Sequence, residues 1–265
     1  MPYDTRAGFP VHWNEFGVGP EPALMLHPAL AHSGAWTRLA GGLADRLRVV
    51  APDMPGHGLS GDWDRRSDYH DQMTAIAASF IEPGMHVIGH SFGATVALRL
   101  ALENPGMRSL TLIEPVLFAA ARLRAQAAFD AHHKVSRPFA NALAVGDRDT
   151  AARLFSALWG DGRGWEDLTA RQKESLVKRI PIIAETNRTL NDDPIGLLAE
   201  GRLEGLKMPV LLLRGSDSQP ITQDIHNALA ARIPDVRQSV IAGAGHMVPI
   251  THPAEVAREI RDMIG

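Results

Sequence analysis

A chain of 265 residues, 45% of them hydrophobic, is long enough to bury a large core and to carry an insertion within one α/β domain. Its 27 basic residues against 30 acidic ones, net charge −3, with no basic run, argue against a nucleic-acid partner. The absence of cysteine excludes disulfides, thiolate metal sites and a cysteine nucleophile; with no apolar stretch near a membrane span and no leader pattern at the start, a cytoplasmic protein without a membrane partner is expected.

Residues 9–16 alternate like an edge strand of a hairpin and end at Gly17-Val18-Gly19-Pro20, a turn. Ala23 to Leu26 reads as a buried strand ending at His27, and a helix is expected from Trp36 to Leu47, followed by a short strand at Arg48 to Ala51. Pro52 to Ser60 is too rich in turn residues to continue the strand and is placed as a loop at its C-terminal end. Met85 to Ile88 is a buried strand, Ala94 to Leu102 a helix with apolar residues on nearly every side, and Leu110 to Ile113 the next strand. Strands alternating with helix-length segments call for a mostly parallel sheet covered on both faces, an α/β fold.

From about residue 119 to 204 the pattern turns helical, with Phe129, Phe139, Phe155, Trp159 and Trp165 among many alanines and leucines. This segment is expected to be a helical cap over the open ends of the strands, leaving 1–118 and 205–265 as the core. Pro209 to Arg214 restores the strand pattern, Ile225 to Ile233 is a helix, Val236 to Ile241 a last strand, and Pro253 to Ile264 a terminal helix with proline suited to its first turn.

Gly89-His90-Ser91-Phe92-Gly93 joins the strand at 85–88 to the helix at 94–102. Two glycines permit a sharp turn and a close helix crossing, so the Ser91 hydroxyl projects above the sheet beside free amides of the helix start. A neutral serine is a poor nucleophile and needs a base held by a third group. His246, in the loop after the last strand, is the expected base; His90 points away if the turn is tight and packs or bonds to backbone. For the acid two carboxylates stay open: Glu114 at the end of the strand after Ser91, and Asp217 after the strand ending near Arg214. The residue not used would serve in an ion pair or a helix cap.

Taken together, His27-Pro28, Asp53 to Ser60, the Ser91 pentapeptide and Gly245-His246 make the chain resemble an alpha/beta-hydrolase with a helical lid over essentially its whole length. The resemblance implies an oxyanion hole from the amides of Ala29 and Phe92. Pro28 stands where a glycine is usual, which removes one N–H but not the expected donor. The family's usual acid position falls at Ser218, with Asp217 one residue early, whereas certain dehalogenases of the family carry a glutamate where Glu114 stands. Their nucleophile is an aspartate, so Ser91 speaks against alkyl-halide displacement.

Asp53, His57, Asp62, Asp64 and Asp68 lack metal-loop spacing, and Gly56-His57-Gly58 lacks the length of a phosphate cradle, so no metal and no cofactor is expected. Trp36 and Phe118, near the expected turns, are candidate walls of a substrate pocket. The resulting expectation is a serine hydrolase of a small carboxylic ester or lactone. Its alternatives are a carbon–carbon bond hydrolase of a ring-fission diketone and a non-catalytic ligand-binding relative; the oligomeric state is left open.

Overall fold

Short apolar runs with period-two alternation become strands whose two sides enter different cores. In the computed structural model, which describes residues 2–265, the strands are β1 (Tyr3–Arg6), β2 (Phe9–Phe16), β3 (Glu21–Leu26), β4 (Leu47–Pro52), β5 (His86–His90), β6 (Ser109–Ile113), β7 (Val210–Gly215) and β8 (Val236–Ile241). They form one sheet in the order β1-β2-β4-β3-β5-β6-β7-β8. The β1–β2 and β2–β4 pairs are antiparallel, and every other neighbouring pair is parallel.

Helices cover both faces, as a parallel sheet with buried central strands requires. On one face Ala23, Met25, Ile88, Ile113, Leu211 and Leu213 pack with residues of α1 (Thr37–Gly41) and of the terminal helix Pro253–Ile264. On the other, Leu24, Leu26, Val87, Leu110, Leu112 and Leu212 meet α2 (Tyr69–Ala78) and α3 (Phe92–Glu103). Asp68 caps α2 by accepting from the amides of His70 and Asp71.

Between β6 and β7 the chain runs through α4 (Phe118–Arg124), α5 (Gln126–Ala144), α6 (Arg148–Trp159), α7 (Ala170–Arg179) and α8 (Pro181–Asp192), with no strand among the described residues. This helical insertion has a small core of its own, Ala142, Ala151, Ala152 and Ile180, which the core residue Leu30 joins. After β7 come α9 (Pro220–Ala230), β8, α10 (Val248–Thr251) and α11 (Pro253–Ile264). No helix among the described residues is long and apolar enough to cross a membrane.

Local boundaries depart from the sequence expectation where glycine or proline decides them. The helix expected from Trp36 to Leu47 is a 3₁₀ turn at Ser33–Trp36 followed by α1, which stops at the Gly41-Gly42 pair, and Leu47 opens β4. The helix expected from Ile225 begins at Pro220, whose fixed φ suits a first turn. The strand β1 lies outside any element expected from the sequence.

The strand order matters for function. From β3 the chain moves outward to β4 and then returns across β3 to β5, so the connections leave β3 and β5 toward opposite sides. Ligands of open α/β sheets bind at such a switch, outside the carboxyl ends of the strands. Here those ends deliver His27-Pro28-Ala29 and Ser91 side by side.

Several histidines are sealed in this core. Burial holds the imidazole of His70 down to about 3, and those of His27 and His226 down to about 4. Between those values and the ordinary 6.5, the unfolded chain takes up protons that the folded chain refuses. The stability tied to these groups is therefore fully present above about pH 6.5 and is lost as pH falls toward about 4. Urea melts should show a clearly lower midpoint at about pH 5 than at about pH 7.5. An unchanged midpoint would contradict neutral burial of these rings.

Candidate active site

β5 ends at His90, and Ser91 takes φ 55°, ψ −118°, a conformation that L side chains rarely adopt, before α3 begins at Phe92. Close approach makes the flanking glycines obligatory. A Cβ on Gly89 would lie 2.3 Å from the Gly93 carbonyl, and one on Gly93 would lie 2.2 Å from the Leu26 carbonyl. The strained turn is held because the Ser91 amide donates to Ile113 O at 2.9 Å, extending the β5–β6 ladder by one residue. The Phe92 amide stands at the first position of α3, where no intrahelical acceptor exists. Its ring turns into the core against Tyr69 and His70.

Glu114 follows β6 directly, with φ 51°, and is fully buried. Its carboxylate is ringed by donors: Oε1 accepts from the Gly215 amide at 2.7 Å and the Ser218 hydroxyl at 2.5 Å, and Oε2 accepts from His246 Nδ1–H at 3.1 Å. With its proton on Nδ1, His246 leaves Nε2 free to accept from the Ser91 hydroxyl, 3.0 Å away. A serine hydroxyl, an imidazole in one tautomer and a buried carboxylate thus form one hydrogen-bonded chain, the arrangement that can deprotonate the serine as it attacks.

Asp217, the other carboxylate considered for this place, is exposed and accepts from the Ser216 hydroxyl at 2.7 Å instead. The turn after β7 carries it outward and brings Ser218, the next residue, onto Glu114. Gly215 permits this crossing, since a Cβ there would lie 2.0 Å from Ala244 O in the loop that leads to His246. On the far side, His90 Nε2–H donates to the main-chain carbonyl of His246 at 2.8 Å.

A second network holds the loop after β3. His57 Nε2 accepts from the Leu30 amide at 3.0 Å, and its Nδ1 faces Pro55 O at 2.9 Å. His27 Nε2 accepts from the Met54 amide at 2.9 Å, and its Nδ1 faces Pro28 O at 2.8 Å. Burial keeps both rings neutral, His27 down to about 4 and His57 well below its ordinary value, as this donor and acceptor pattern demands. Asp53 braces the loop from behind, accepting from His12 Nδ1 at 2.7 Å and from the amides of Ser33 and Leu59 at 2.7 and 3.0 Å. The result fixes the backbone on either side of Ala29, whose own amide has no acceptor among the described residues. The Asp53–Asp68 stretch is thus loop bracing and a helix cap, and no group of three candidate ligands among the described residues could hold a metal.

Over Ser91 and His246 lies a cavity of roughly 760 Å³ whose walls include Ala29, Phe92 and Phe118. Trp36, expected as a pocket wall, is not one: it is 1% exposed and packs in the core on the α1 side of the sheet, with its ring 6.4 Å from that of His90. Its place is taken by Trp159 at the end of α6, whose ring meets His246 edge-on at 4.7 Å. The sequence marks Trp159 only as one of several aromatics in the insertion.

A model described as the alpha/beta hydrolase family matches residues 23–259. A pimeloyl-(acyl-carrier protein) methyl ester esterase of Methylococcus capsulatus is 30% identical over 262 residues, 94% of this chain and 96% of that one. The esterase of the same name from Nitrosomonas europaea is 40% identical over 95 residues, and that alignment spans 36% of each chain. Among solved structures, the enol-lactonase from Burkholderia xenovorans superposes with a TM-score of 0.75 at 18% identity, covering 99% of both chains, a likeness of fold.

The geometry separates the two carboxylates sharply. Glu114→Gln should lower the turnover of any Ser91-dependent reaction by roughly 10²–10⁴, while Asp217→Asn should leave it within about twofold. Steady-state kinetics on the two variants decides, and the reverse ranking would remove Glu114 from the chain.

Proposed function

Because the chain belongs to the alpha/beta hydrolase family, we propose that it is a serine hydrolase of a small carboxylic ester or lactone, acting through an acyl-enzyme on Ser91. The single observation that carries this reading is the continuous chain Ser91–His246–Glu114, in which only one histidine tautomer satisfies both contacts. Ser91 Oγ attacks the carbonyl carbon while His246 Nε2 takes its proton. The amides of Ala29 and Phe92 receive the negative charge that develops on the carbonyl oxygen. As the carbon–oxygen bond to the alcohol breaks, His246 returns the proton to the departing oxygen. Water then repeats the sequence on the acyl-enzyme and frees the acid and Ser91. Glu114 accepts from Nδ1–H and steadies the imidazolium. Names of the Methylococcus and Nitrosomonas relatives point to the same bond type, a carboxylic ester.

The helical insertion supplies the lid in this reading, with Phe118 and Trp159 limiting water at the acyl-enzyme. One observation favours the carbon–carbon reading as its competitor. Lys134 and Arg137 border the cavity and form no ion pair among the described residues, so an acidic substrate such as a ring-fission diketone would find positive charge there.

Short acyl esters and lactones should be turned over by the wild type, and Ser91→Ala should reduce the rate by about 10³-fold or more. A serine-directed phosphonate should label Ser91 stoichiometrically, as read by mass spectrometry. Equal ester turnover by wild type and Ser91→Ala would sink the nucleophile assignment. Turnover of a diketone with negligible ester hydrolysis would shift the chemistry to carbon–carbon cleavage, and failure to label folded protein would leave a binding role.

A further inference from the structure

One polar side chain on the cavity wall is left without a task by the chemistry above. His132, on α5, stacks on Phe118 with ring centroids 4.6 Å apart at 24°, and meets Trp159 edge-on at 5.6 Å. Through Trp159 this aromatic row continues to His246, so His132 stands at the far end of the wall that begins at the proposed base. It lines the same cavity as Ser91.

Its surroundings favour one tautomer. Ser136, one turn further along α5, donates its hydroxyl proton to the main-chain carbonyl of His132 at 2.9 Å, the usual back-bond of a helical serine. A hydroxyl has only one proton, so toward His132 Nε2, 3.2 Å away, the Ser136 oxygen acts as acceptor. Nε2 therefore carries the ring proton, and Nδ1 is a bare acceptor with no donor among the described residues. Burial, reinforced by the adjacent His133, holds this imidazole down to about 4, so the ring is neutral at pH 7.

We propose that His132 is a specificity-determining residue whose Nδ1 accepts a hydrogen bond from a hydroxyl on the part of the substrate that fills the cavity. The inference rests on the hydrolase reading for its substrate class, a hydroxylated ester or lactone. A carboxylate in this place would meet the lone pair of Nδ1 and be repelled. A plain alkyl chain would cover Nδ1 without pairing it, and covering a polar atom without a partner disfavours such a ligand by about tenfold or more. The cations Lys134 and Arg137 sit on the exposed side of the same helix, at the cavity's border, and do not alter the acceptor character of the stacked ring.

The test uses methyl alkanoates bearing one hydroxyl at successive carbons from C3 to C8, each paired with its deoxy parent. Wild-type kcat/KM is compared with affinity for Ser91→Ala, followed by the fluorescence of Trp159, which neighbours His132. At one hydroxyl position the wild type should prefer the hydroxylated ester by about tenfold or more, and Ser91→Ala should bind it with the same preference. His132→Phe, which keeps a ring between Phe118 and Trp159, should bring the ratio to about one. His132→Asn, which returns an acceptor near Nδ1, should restore the preference. Ester turnover with no preference at any position, or with an equal preference in His132→Phe, overturns the subsite. Loss of Ser91-dependent turnover alongside a preserved, His132-dependent binding preference in Ser91→Ala would instead uphold the subsite and remove the hydrolase reading.

Discussion

The arrangement of the site depends on where one buried charge is satisfied. Glu114 is fully enclosed, and an enclosed carboxylate is tolerated only when its lone pairs meet donors. Those donors come from three separate places: the end of β7 through Gly215, the turn beyond it through Ser218, and the loop after β8 through His246. Satisfying the charge therefore draws the ends of β6, β7 and β8 together, and the orientation of the imidazole toward Ser91 follows from that assembly. The same requirement explains the left-handed backbone at Glu114, because the chain must turn at once after β6 to keep the carboxylate level with Gly215.

A complementary constraint acts on the other side of Ser91. Strand order puts the ends of β3 and β5 next to each other, which is topology. Holding the loop after β3 in place beside the serine needs more, and two neutral histidines provide it. His57 grips the Leu30 amide and His27 grips the Met54 amide, so the loops after β3 and β4 are each fastened to the other. Leu30 itself sits at φ 66°, a strained conformation maintained by this grip and by its packing into the insertion's small core. Protonation of either ring would destroy the acceptor that holds the loop, and burial prevents it near neutral pH.

The parts of this design that the sequence displays are those encoded by contiguous residues. Apolar runs announce the central strands, and the Gly89 to Gly93 segment announces a tight strand-to-helix turn whose glycines are indeed required by carbonyls closer than van der Waals contact. What sequence leaves open is what depends on where distant loops cross. Glu114 and Asp217 both follow strands, and only the direction of the turn after β7 separates them, carrying Asp217 outward and Ser218 inward. Trp36 has the size and neighbourhood of a pocket wall, yet the short α1 places it beneath the sheet against His90. Trp159 has no distinguishing mark in the insertion, and its contact with His246 arises solely because α6 ends over the β8 loop. The edge strand β1 is equally silent, since its four residues pair with β2 through backbone and stay largely exposed.

The aromatic row His246–Trp159–Phe118–His132 ties these constraints to substrate choice. Each residue comes from a different element: the loop after β8, α6, α4 and α5. A shift of the insertion would therefore move the cavity's far end and the environment of the proposed base together. Trp159 packs edge-on against the imidazole, which lowers the local polarity around it and strengthens its interaction with the Ser91 hydroxyl. Phe118 does the same for His132 by removing water from one face of its ring. The wall thus isolates two imidazoles, one whose proton is fixed by a carboxylate and one whose proton is fixed by a serine. In both, one ring nitrogen is left without a proton: Nε2 at the Ser91 end, which accepts from the serine hydroxyl, and Nδ1 at the far end of the wall, which has no partner among the described residues.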